Sequence, residues 1–279
     1  MFPKPVFSPV GRVSGPVAPN SRGFENVFLF DLETLTDSRN GVIEFEFASY
    51  LAAFAGKRPC YLLSRTNYNE VMRRVPARVL NSLAGVFTNA GSELWVKNEL
   101  QIRHEHDLSD DLYEFAAKVV QKSTYPDKRA PMIDCGPASL RICMAGTKST
   151  SRQLREYANW EKEHQELCVV IDEFSARFPD HDIYRDTETG LLIMPSSFSS
   201  AMVRSHILTR HKSARIVSYL MHQSVEGFAK PLEAAFSGQD ICSVVGGPSD
   251  VSQLLSYEMR CLEGREAQIN LEKWHLEEV

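Results

Sequence analysis

The sequence predicts an α/β protein, a doubly wound parallel sheet with an α+β segment inserted in its middle. Three observations carry this. The stretch NVFLFDL (26–32) is a continuous apolar run of strand length, as a central parallel strand covered on both faces requires. Strand-like and helix-like patterns alternate through residues 24–105 and again after 204. Between them, helical segments adjoin an apparent hairpin, a mixture that does not continue the alternation.

After the first strand, EFEFASYLAAFAG places Phe45, Ala48, Leu51 and Ala52 at helical spacing and stops at Gly56. RPCYLLSRT is a second short apolar run with a polar end. YNEVMRRVPARVLNSLAG reads as helix, interrupted near Pro76, and VFTNAGSELWVKNEL as two strand-like pieces around a turn. In the middle, DLYEFAAKVVQK is a helix and ASLRICMAG a strand. The stretch 151–178 is one long helical run, and HDIYRDTETGLLIMPS is a hairpin turning at DTETG. SARIVSYLMHQS is then expected as helix, DICSVVGG as strand and DVSQLLSYEMRCL as helix.

Composition narrows the class of function. With 279 residues, 43% hydrophobic, a sizeable core is expected. The formal net charge of -5 argues against nucleic acid as a general partner, because phosphate-backbone binding depends on Lys and Arg. No apolar run approaches the roughly 20 residues that span a bilayer, so no membrane is expected. The first 23 residues, rich in Pro, Gly and Ser, lack a compact apolar signal region and read as an extended arm. Six scattered cysteines without a CxxC pair suggest reduced, buried thiols and a cytoplasmic location. His104 and His106 in RHEHD read as a charged, solvated turn before a metal pair.

Ligands of open α/β sheets bind beyond the carboxyl ends of the strands. Three such ends carry polar side chains: Asp31 with Glu33, Ser64 with Arg65, and the GGPSD turn with Asp250. Lys212 opens the helix expected after the insert. A carboxylate nucleophile, a hydroxyl, an amine and a second carboxylate together suit phosphoryl transfer. Each also has an ordinary reading: Ser64 or Asp250 as a helix cap, and Lys212 as a solvated helix start.

The ordered set resembles the haloacid dehalogenase (HAD) superfamily. LFDLETLTDSRN is similar to the first motif of that family, a strand followed by Asp-x-Asp-Gly-Thr, and YLLSRTN to the second, a strand ending in Ser or Thr. VFTNAGSELW resembles the Asn-Gly-Ala-Glu turn of the sugar-phosphate phosphatase and phosphomannomutase branch. RHKSARIVSYLM resembles the third motif, a Lys opening a helix, and SVVGGPSDVSQL the fourth. The 33 positions from Asp31 to Ser64 leave no room for a cap domain, whereas the 148 from Ser64 to Lys212 do. The resemblance thus implies a HAD-like core over 24–105 and 204–255, with an α+β cap over 106–203. The arm (1–23) and a helical tail (256–279) flank them; the tail would pack on the core or on a second copy in a homodimer.

The resemblance further implies an Mg²⁺-dependent phosphohydrolase acting on a small phosphorylated substrate, such as a sugar or nucleotide phosphate, through an aspartyl-phosphate. Asp31 would be the nucleophile and Glu33 the acid/base. Ser64, Arg65, Lys212 and Lys148 would contact substrate, and Asp31, Glu33 and Asp250 would hold the metal. The motifs depart from the family pattern where metal and acid belong: one Gly is missing, Glu33 replaces an Asp, and Gly247 replaces another. The alternative is a catalytically impaired HAD-like protein that serves as a binding or interaction module.

Overall fold

The computed structural model describes residues 25–37, 41–186, 189–197, 200–222, 224 and 227–277, with backbone alone for 263 and 265–277. The arm expected over 1–23 lies outside them. A seven-stranded sheet forms the core, and a four-stranded antiparallel sheet with its helices forms the cap.

The core strands are β1 (Asn26–Asp31), β2 (Cys60–Leu63), β3 (Gly85–Thr88), β4 (Glu93–Val96), β5 (Glu99–Arg103), β10 (Arg215–Met221) and β11 (Ile241–Val245). Their order is β11-β10-β1-β2-β3-β4-β5, parallel from β11 to β3 and antiparallel from β3 to β5. Alternation along each strand sends side chains to two separate cores. Phe28, Phe30, Leu62, Val217 and Tyr219 face one side, where α2 (Phe45–Ala55) and α3 (Tyr68–Arg74) pack. Val27, Leu29, Leu63, Ile216 and Leu220 face the other, with Val203 and Ile207 of α8 (Ala201–Arg210). Being covered on both sides makes β1 read as an unbroken apolar run.

The cap helices are α5 (Asp110–Lys122), α6 (Ser151–His164) and α7 (Glu166–Arg177). Its sheet comprises β6 (Ile133–Cys135), β7 (Leu140–Ile142), β8 (His181–Arg185) and β9 (Leu191–Pro195), ordered β6-β7-β9-β8. Here too the two faces differ. Leu140, Ile142, Leu191 and Ile193 pack on the cap helices, whereas Leu192 and Met194 pack on the core. GLLIMPS is therefore apolar because two hydrophobic layers enclose it.

Four expectations need correction. Residues 215–221 form strand β10, not a helix: RIVSYLM is β-branched and aromatic, and its pairing with both β1 and β11 buries Ile216 to Leu220. The helical stretch 151–178 is two helices, broken at Gln165, whose backbone is left-handed (φ 53°). Strand β6 was not anticipated. The cysteines are free, but Cys135 and Cys168 are exposed and only Cys60 and Cys143 are fully buried.

The last helix, α10 (Pro248–Glu277), follows α9 (Lys230–Ala235) and β11 and is continuous into the tail. Among the described residues no helix is long and apolar enough to cross a membrane.

Candidate functional site

The chain runs β1, β2, β3 to one side of the sheet and returns as β10 on the other side of β1. The crevice beyond the carboxyl ends of β1 and β10 is thus the topological switch point where such sheets hold ligands. Asp31 ends β1 there, only 1% exposed. One carboxylate oxygen accepts the Glu33 N–H (3.2 Å) and so caps the short helix α1 (Leu32–Leu35). The other accepts the Ser224 hydroxyl in a short bond, together with the Met221 N–H at 3.4 Å. Burial raises the Asp31 pKa above the ordinary carboxylate range and the charge of Glu33 adds to this, against the pull of Arg65 and the Ser224 hydroxyl.

Glu33 has the opposite surroundings. Arg74 holds both its oxygens at 2.8 Å and Arg65 adds a contact at 3.3 Å. Burial alone would raise its pKa, but these guanidiniums outweigh burial and hold it at about 2. Arg65, 8% exposed, then reaches into the cap to Asp186 in a short ion pair. The second Asp186 oxygen accepts Arg141 Nε at 2.7 Å and Arg141 Nη2 at 2.6 Å. Burial raises the Asp186 pKa, and Arg65 and Arg141 more than reverse the effect. Three guanidiniums (Arg65, Arg74, Arg141) therefore face the two carboxylates held as anions, Glu33 and Asp186, with Asp31 beside them.

Ser64 follows β2 beside Asp31, since Asp31 pairs with Leu63. Its hydroxyl is buried and bonded to the Thr66 hydroxyl at 2.9 Å. The next turn, where Asn89 N–H donates to Thr66 O, opens into a cleft of about 390 Å³ between core and cap. Asn89, Glu93, Asp134 and the stacked pair Tyr68–Trp95, with ring centroids 4.2 Å apart, are among its walls.

The structure thus gathers Asp31, Glu33, Ser64 and Arg65, and leaves the other predicted site residues elsewhere. Lys212 is exposed in the turn before β10, at the opposite end of the parallel sheet from Asp31. The expectation that it opens a site helix fails because the segment that follows it is a strand. Lys148 is exposed on the loop before α6, outside the buried cluster. Asp250 lies in the first turn of α10, where its carboxylate accepts Gly246 N–H at 2.7 Å. That helix follows β11, which is separated from β1 by β10, about 10 Å across the sheet. His104 stacks on His206, and His106 meets His181 edge to face.

The residues present do not fit the Mg²⁺ ion that the motifs imply. Mg²⁺ takes oxygens at about 2.1 Å in a near-octahedral shell, anchored by one or two carboxylates. Glu33 is held by two guanidiniums, and both oxygens of Asp31 already accept hydrogen bonds. Among the described residues no group of three or more His, Cys, Asp or Glu is placed to hold a metal.

Four residues of the cluster were invisible to sequence reasoning: Arg74, Arg141, Asp186 and Ser224. Ser224 had a usable signal, because reading 215–221 as a strand puts it at a strand end like Asp31. Asp186 had none, being one polar residue of a hairpin turn.

No protein-family model matches the sequence, and no curated protein matches it significantly. The fold has clear counterparts. The chain superposes over 86% of its length on an N-terminally truncated, IMP-bound IMP-nucleotidase of Plasmodium falciparum, covering 69% of that chain, with a TM-score of 0.59 at 12% identity. A haloacid dehalogenase-like hydrolase from Bacteroides thetaiotaomicron matches over 85% of this chain and 99% of its own (TM-score 0.54, 13% identity). The C-terminal domain of C. albicans trehalose-6-phosphate phosphatase matches over 71% and 70% (TM-score 0.52, 12% identity). The chain has the HAD-like hydrolase fold, shared with a nucleotidase and a sugar-phosphate phosphatase.

Proposed function

We propose that this chain is a HAD-fold binding protein that takes a small phosphorylated ligand at the core–cap seam without Mg²⁺-dependent turnover. The observation that carries the reading is the inverted pair Asp31 and Glu33. Aspartyl-phosphate chemistry needs an ionised nucleophile and an acid that can give up a proton. Here Arg74 takes both oxygens of Glu33 at 2.8 Å and Arg65 adds a contact at 3.3 Å, so Glu33 is engaged as an anion, and both oxygens of Asp31 already accept hydrogen bonds. The phosphatase neighbours and the buried guanidiniums support a phosphorylated ligand, and the cleft lined by Asn89, Tyr68 and Asp134 offers room at the seam.

A second reading, a phosphohydrolase, is favoured by the position of Asp31, which ends β1 at the switch point of a fold shared with phosphatases. Assaying purified protein on a panel of phosphomonoesters, with and without Mg²⁺, separates the two. The binding reading expects no phosphate release beyond that of Asp31→Asn, and thermal stabilisation by at least one phosphomonoester without divalent metal. Mg²⁺-dependent release that Asp31→Asn abolishes would establish the hydrolase instead.

A further inference from the structure

We propose that the cleft between core and cap selects a ligand body that carries a primary ammonium group. The proposal deepens the ligand-binding reading above and rests on it, naming the class of ligand. At about 390 Å³ the cleft falls within the roughly 300–1,000 Å³ of small-molecule sites. The core supplies Asn89 and Glu93, the connection after β5 supplies Glu105, and cap strand β6 supplies Asp134. Three carboxylates thus line the cleft, and Arg103 is the one cation among its walls. That cation is already committed. Arg103 donates through Nε and Nη2 to Glu93 Oε1, each at 2.8 Å, and its Nη1 stands 3.8 Å from Glu105. The other Glu93 oxygen accepts Thr88 Oγ1, Asn89 Nδ2 and Trp95 Nε1 at 2.7, 2.8 and 3.2 Å. Asp134 has no counterpart of this kind. It lies directly opposite Arg141 in the β6–β7 ladder, but that guanidinium is engaged with Asp186, and Asp134 makes no ion pair among the described residues. Glu105, with its side chain 71% exposed, meets Arg103 only at that longer distance. Two carboxylates therefore stand at the cleft with little to neutralise them.

A neutral side chain points the same way. Asn89 is 7% exposed, and its Nδ2 is fixed by Glu93. Its Oδ1 accepts no hydrogen bond among the described residues and turns toward Gly136 of the cap, where a Cβ would come within 3.2 Å of it. Asn89 and Gly136 both line the cleft, so this oxygen is a nearly buried acceptor that faces it. An acceptor in such a place calls for a donor, which a ligand N–H supplies. The aromatic wall suits a cation as well. Tyr68 Oη donates to Asn98 Oδ1 at 2.7 Å, and Trp95 Nε1 is held by Thr88 Oγ1 and Glu93. What these rings leave for a ligand is π surface, which attracts an ammonium group. A neutral polyol could meet the same acceptors, but it would not gain the charge-assisted bonds that Asp134 and Glu105 offer.

Glucosamine 6-phosphate and glucose 6-phosphate differ by one ammonium group and are the probes, with no divalent metal present. By calorimetry the wild type should bind the amine about tenfold more tightly, the size of one hydrogen bond to a charged group. Asp134→Asn should cut that preference to about threefold or less. Should this variant not fold, Glu105→Gln at its exposed position must lower the preference in the same direction. Equal affinity of the wild type for the two esters overturns the proposal and leaves the ligand-binding reading standing, as does a preference that survives both substitutions. Glucosamine and glucose without the phosphate, followed through the Asn89 side-chain amide resonances, test the cleft apart from the phosphoryl group. Shifts with glucosamine alone keep the amine site even where neither ester binds, a result that would remove the phosphorylated ligand. Equal shifts with the two sugars, or none with either, overturn the amine site. Phosphate release by the wild type would remove the non-catalytic reading and leave the amine preference standing.

Discussion

The two sides of the crevice differ in what surrounds their carboxylates. On the β10 side, Asp31 is held by a hydroxyl and main-chain N–H groups, all neutral donors. On the side of β2, α3 and the cap, Glu33 and Asp186 are held by guanidiniums. Asp31 and Asp186 are buried and Glu33 is half-buried, yet the first is pushed toward its acid form and the others toward their anions. Burial is common to the two sides, so the charge of the partner decides the direction. A neutral donor offsets part of the desolvation of an anion, whereas a paired cation can exceed it.

Removing the shared cation tests this contrast hardest. Arg65→Ala leaves Glu33 and Asp186 each short of a partner, and breaking a buried pair in this way costs about 3–5 kcal/mol. Urea unfolding should show a loss of that order, and a loss below about 1 kcal/mol would mean the cluster is largely solvated.

Acid should act next most strongly, through Glu33 and Asp186. Their folded pKa values are depressed, so the stability they contribute is complete above the unfolded value of about 4 and is lost as pH falls through the folded value. For Glu33, held at about 2, the window runs from about pH 4.3 down to about pH 2 and is worth on the order of 3 kcal/mol. Glu33→Gln should flatten the decline over that window; an unchanged pH profile would break the argument.

Asp31 should respond with the opposite sign. A raised folded pKa contributes stability below the unfolded value that disappears as pH rises, so ionisation of Asp31 opposes folding near neutrality. Asp31→Asn should therefore raise the melting temperature at pH 7, by the equivalent of about 1 kcal/mol, with the gain shrinking toward pH 4. A loss of stability at pH 7 would show the anion to be well compensated. Smallest of all, Lys212→Ala should change stability by less than about 0.5 kcal/mol and leave phosphate affinity unaltered, because the residue is exposed at the far end of the sheet. A fall in phosphate affinity would reinstate it as a ligand contact.

The sequence by itself determined the class of fold and the strand ends that carry Asp31, Glu33, Ser64 and Arg65. Their signals are local: an unbroken apolar run for a strand covered on both faces, and polar residues where it stops. It misread 215–221, since RIVSYLM is apolar at spacings that suit a buried helix or a buried strand, and pairing with both β1 and β11 settles the matter. That misreading moved the expected phosphate contact to Lys212 and concealed Ser224. What only the tertiary structure decided is the state of the carboxylates. Glu33 meets Arg74 from 41 positions away, Arg65 meets Asp186 across 121, and Asp31 meets Ser224 across 193. Partners that distant leave no trace in a local pattern. At a buried site the partner's charge sets the proton affinity, and with it what the site can do.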